Sequence, residues 1–97
     1  MKYKVRFSPF AYEDKKEIKT YLSKFYPGTP RRFTALLKQS IANLKENPYM
    51  FPEYQGNTAY RRMPVGNYIV FYKVDEEEKQ IDIYRILRAS WDLPTHL

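Results

Sequence analysis

The apolar positions fall into runs of two different periods. Tyr68-Ile69-Val70-Phe71-Tyr72-Lys73-Val74 is β-branched and aromatic almost throughout and reads as a strand. Ile81 to Arg88 follows across the charged segment Asp75 to Lys79, so the two runs predict a hairpin. Ala59 to Met63 is a shorter candidate strand, closed by Pro64 and turned by Gly66-Asn67 into Tyr68. Near the start, Tyr3, Val5 and Phe7 alternate with Lys4 and Arg6, the period of a half-buried strand.

The period between these strands is helical. Ser8-Pro9 reads as an N-cap followed by proline in the first turn, and Ala11, Lys15, Ile18, Leu22 and Phe25, with Tyr21, follow as one face of a helix ending near Tyr26. Thr29-Pro30 repeats the device, and Phe33, Leu36, Leu37, Ile41 and Leu44 form the stripe of a second helix that stops at Asn47-Pro48. The short connection predicts an antiparallel helical hairpin. Tyr49 to Asn57 reads as a loop whose three aromatics pin it to the body. The order β-α-α-β-β-β predicts a single α+β domain over residues 1–97, with the helical hairpin packed on one face of a mainly antiparallel sheet.

Neither long strand is polar on one side. Alternation sets Ile69 and Phe71 against Tyr68, Val70, Tyr72 and Val74, and sets Ile81, Ile83 and Leu87 against Tyr84 and Ile86. A sheet apolar on both faces needs cover on both. With the helices on one side, the other is the expected surface for a partner or substrate. Arg61, Arg62, Arg85 and Arg88 lie on these strands, and Arg85 interrupts an apolar series. Its guanidinium calls for an internal carboxylate, on the helices or at Asp92, or for something from outside.

Composition narrows the chemistry. A chain of 97 residues without cysteine has no disulfide scaffold, thiolate nucleophile or cysteine zinc site, and fits a reducing cytoplasm. The net charge of +6 comes from the first part of the chain. Through Pro48, eleven Lys or Arg face four Asp or Glu, which favours polyanionic or acidic partners. Ten tyrosines and six phenylalanines supply aromatic faces that serve a core or an interface. Asp75 to Glu78 lacks a metal-ligand pattern and reads as a solvated hairpin tip. No phosphate-binding glycine loop, serine nucleophile motif or metal-binding histidine pair occurs, so no cofactor or metal is expected.

Taken together, the Ser8-Pro9 helix start with Glu13 and Asp14, the Asn47-Pro48 stop, the segment Arg62 to Val74, and Ile83-Tyr84-Arg85-Ile86-Leu87-Arg88 followed by Asp92 resemble the ParE/RelE toxins of bacterial type II toxin–antitoxin pairs, over essentially the whole chain. The resemblance implies a cytoplasmic toxin neutralised by a cognate acidic antitoxin. ParE-like members act on DNA gyrase, whereas RelE-like members cut messenger RNA in the ribosome. RelE-like sequences place an arginine in the middle strand, where this chain has Ile69. ParE-like sequences often end the last strand on His, two small residues and Arg-Asp, where this chain has Arg88-Ala89-Ser90-Trp91-Asp92.

The expected function is therefore growth inhibition by gyrase binding, with Arg61, Arg62, Arg85, Arg88 and Trp91 as partner contacts. The enzymatic alternative is a ribosome-dependent messenger RNase that uses Arg62, Arg85 and Arg88 as phosphate clamps, with Tyr84 or His96 for proton transfer. His96 is the sole histidine and the penultimate residue, where chain ends fray. A third alternative is a non-toxic relative that binds only its antitoxin.

Overall fold

The structure, a computed structural model, describes residues 2–25 and 28–89. Its elements are β1 (Lys4–Phe7), α1 (Pro9–Leu22), α2 (Thr29–Glu46), β2 (Glu53–Tyr54), β3 (Asn57–Val65), β4 (Tyr68–Asp75) and β5 (Gln80–Arg88). Ser8 caps α1 as its residue type predicts, accepting from the Ala11 N–H at 3.0 Å. The helix ends at Leu22, earlier than its apolar stripe suggests, and Tyr21 and Phe25 are left exposed. The cap of α2 also differs from expectation. Thr29 is the first helical residue, and Gly28 holds the cap position without a side-chain bond.

The five strands form one sheet in the order β1-β5-β4-β3-β2, with β1 parallel to β5 and the other pairs antiparallel. The segment read as a loop before β3 contributes the short β2, and β3 runs on through Pro64. The Arg62 N–H points away from β4, to Pro52 O at 3.1 Å, and Pro64 lies two residues further along that same side. Beyond Arg61 that side has no β2 partner, so the missing proline N–H breaks no ladder bond. Gly66 takes φ +61° as the first central residue of the two-residue turn into β4, a conformation that favours glycine.

The helices cover one face of the sheet. Ala11, Ile18, Phe33, Leu37 and Leu44 pack there on Met63, Val65, Tyr68, Val70, Tyr72, Ile81, Ile83 and Ile86. Ile69, Phe71 and Leu87 form a second buried cluster on the other face, with Tyr54 and Tyr60 against it. The predicted parity of β4 holds; that of β5 does not. Phe71 pairs with Arg85 but Tyr72 pairs with Ile83, so Tyr84 is an extra residue in a β-bulge. The bulge resets the alternation, placing Ile86 with Ile81 and Ile83 beneath the helices and Leu87 on the opposite face. Among the described residues, no helix is long and apolar enough to cross a membrane.

Candidate functional site

The bulge lies where β5 loses its strand neighbour. β1 pairs with β5 only as far as Phe7 and Ile83, and the chain then turns into α1. Three groups from this turn and helix take over the exposed edge. The Ser8 N–H donates to Ile83 O at 2.8 Å and its hydroxyl to Tyr84 O at 2.6 Å. Asp14, in the second turn of α1, accepts the Ile86 N–H at 3.0 Å and the Arg85 guanidinium through Nε at 2.7 Å and Nη2 at 3.0 Å. This fork geometry is the strong form of a carboxylate–guanidinium pair. The hydrogen bond from Arg85 to Asp14 holds the guanidinium pKa above its ordinary value.

On the face away from the helices, Ile69, Phe71 and Leu87 make an apolar floor. Arg62 stands opposite Phe71 on β3, and its Nε is buried without a hydrogen-bond partner among the described residues. A buried guanidinium nitrogen left unpaired is costly, and an arriving acceptor relieves that cost. Beside the floor, Tyr60 and Tyr84 stack with ring centroids 4.8 Å apart and planes 18° apart. Phe10 meets Tyr84 edge-on, and the Lys73 ammonium lies 4.7 Å from the Tyr60 ring. Arg6, Tyr60, Lys73, Asp82 and Tyr84 line one recess, which brings two cations and two phenols together.

The four sequence-predicted arginines do not converge. Arg62 alone meets the apolar floor with an unpaired donor, while Arg85 gives two of its three guanidinium nitrogens to Asp14. Arg61 holds the loop before β2, donating to Phe51 O at 2.8 Å and lying over the Tyr49 ring at 4.9 Å. Arg88 stands opposite Tyr68, on the helix side, with its guanidinium over Tyr21 at 5.4 Å. Arg61 and Arg85 thus have internal partners, and Arg88 lines a different groove with Asp14, Glu17 and Ile18. Trp91, Asp92 and His96 fall outside the described residues. Sequence reasoning passes over Lys73, Tyr60 and Arg6. Lys73 is legible as the one cation on the Ile69–Phe71 side of β4, and Tyr60 as sharing the parity of Arg62.

Burial pushes the Tyr72 hydroxyl up to about 12, and it donates to Pro48 O at 2.8 Å, so it packs the loop and is unsuited to proton transfer at neutral pH. Among the described residues no group of three or more His, Cys, Asp or Glu is placed to hold a metal ion.

A two-helix layer on one side of a mostly antiparallel five-stranded sheet is a fold shared with solved toxins of toxin–antitoxin systems. The chromosomal ParDE system of P. aeruginosa matches with a TM-score of 0.75 at 14% identity, covering 89% of this chain and 95% of that one. The E. coli RelE toxin, as a mutant in the free state, gives 0.69 at 14%, covering 99% and 93%. The RelBE2 complex of Mycobacterium tuberculosis gives 0.66 at 22%, covering 91% and 99%. No curated protein matches significantly. The family described as ParE toxin of the type II toxin-antitoxin system, parDE, matches residues 5–93, and the chain belongs to it.

Proposed function

We propose that this toxin acts by binding DNA gyrase and is neutralised by an acidic antitoxin segment that folds over the sheet face away from the helices. The observation that carries the reading is Arg62, whose Nε lacks an acceptor among the described residues, beside the half-buried Tyr54 and Tyr60 that pack on the buried cluster of Ile69, Phe71 and Leu87. An unpaired arginine among aromatic rings suits a protein contact, in which a carboxylate or carbonyl meets Arg62 and apolar side chains meet Tyr54 and Tyr60, the half-buried rings packed against that cluster. Phosphate cleavage calls instead for several cations and a proton acceptor around one point. Here Arg85 is tied to Asp14 and β4 places Ile69 and Phe71 on that face.

The runner-up is a ribosome-dependent messenger RNase, favoured by the recess that gathers Arg6, Lys73, Tyr60 and Tyr84. Induction of the chain in bacteria without antitoxin separates the two. Gyrase binding predicts DNA-damage signalling within minutes while translated messages stay intact. Prompt message cleavage that Tyr84→Phe abolishes, with antitoxin binding retained, would establish the RNase instead.

A further inference from the structure

The two helices carry a charge asymmetry that the sheet face away from them does not use. Seven Lys or Arg and four Asp or Glu lie within them. The acids are turned elsewhere: Glu13 pairs with Lys16 at 3.9 Å, Asp14 with Arg85, and Glu46 with Lys2 at 3.2 Å, while Glu17 lines the groove beside Tyr21 and Arg88. A separate shallow groove runs between the helices, lined by Lys19 of α1 and by Pro30, Arg31, Thr34, Ala35 and Lys38 of α2. Among the described residues no acidic side chain lines it. None of its three cations has an ion pair among the described residues. Arg31 and Lys38 are two helical turns apart, about 10.5 Å along the axis. The first turn of α2 has no acid to offset its positive dipole end.

We propose that this groove is a docking strip for the phosphate backbone of duplex DNA. Charge complementarity selects a polyanion, and the lining selects a duplex. Single strands are held largely by base stacking on aromatic rings, and among the described residues no aromatic side chain lines this groove. Duplex DNA needs no such platform, and it presents one negative charge per roughly 1.7 Å of its axis. Lys19, Arg31 and Lys38 act as point contacts to phosphates, without reading sequence. The proposal does not depend on the target assigned to the sheet face.

The test is fluorescence anisotropy of a labelled 20-base-pair DNA duplex titrated with the full chain between 50 and 200 mM salt. Three phosphate contacts predict a slope of log affinity on log salt near about −2.7. K19Q/R31Q/K38Q should weaken binding at least tenfold at the lowest salt and flatten the slope. K2Q/K4Q/K45Q, which removes the same charge outside both this groove and the sheet recess, should stay within threefold of the parent. Circular dichroism checks that both variants fold. Equal losses in the two variants would reduce the effect to net charge and overturn the proposal, as would failure of the parent to bind duplex. Tighter binding of a single-stranded or double-stranded RNA of the same length would overturn the assigned occupant.

Discussion

Asp14 and Arg62 show how differently two charged residues near the same cross-strand row are used. Asp14 satisfies Arg85 and the free Ile86 N–H at once, with both side chains of the pair largely shielded. Asp14→Ala should therefore destabilise the fold by about 2–3 kcal/mol in urea unfolding, since it orphans a guanidinium and an edge amide. A loss below about 0.5 kcal/mol would mean that water replaces the carboxylate. Arg62 has the opposite character. Arg62→Met removes an unpaired buried nitrogen, so thermal melting should be unchanged or raised, while antitoxin affinity falls at least tenfold. A lowered melting temperature with intact antitoxin affinity would make Arg62 structural. Sequence could name both residues but not their partners, because Asp14 and Arg85 are 71 positions apart.

At the scale of elements, small local devices fix the sheet to its surroundings. Ser8 both caps α1 and binds the bulge carbonyl, so Ser8→Ala should cost about 1–2 kcal/mol, measurable by chemical denaturation. Glu76, in the β4–β5 turn, accepts from the Tyr3 and Tyr49 hydroxyls and from Lys79, joining the hairpin tip to the segments before β1 and after α2. The hydrogen bonds from Lys79, Tyr49 and Tyr3 lower its pKa from 4.5 to about 2. A depressed carboxylate stabilises the fold fully above its unfolded pKa and loses that contribution as pH falls from about 4.5 towards 2. Glu76→Gln should flatten this part of the acid unfolding curve, and an unchanged curve would show that the cluster does not couple to folding. The hairpin and both helices were legible from periodicity. The bulge was not, because one inserted residue leaves the apolar composition of β5 intact while reversing the side on which Ile86 and Leu87 emerge. The early end of α1 was hidden for a related reason: Tyr21 and Phe25 continue the apolar stripe but stay exposed, with their rings 5.1 Å apart.

For the whole molecule, the sheet's two apolar faces were readable from strands apolar on both sides, and they survive the correction to β5; the face away from the helices is not bare, however, because Tyr54 and Tyr60 pack on its buried cluster. The site was less legible. Arginines were the visible signal, yet two of the four serve the fold, and the recess of Arg6, Lys73, Tyr60 and Tyr84 depends on strand order and on the bulge. Family membership makes the chain a toxin of a type II pair. The most direct measurement of the central claim is supercoiling by purified gyrase titrated with the purified toxin, beside Arg62→Met. Gyrase binding through Arg62 predicts inhibition by the parent and at least tenfold weaker inhibition by the variant. Undiminished supercoiling at toxin concentrations that cleave translated messages would contradict it.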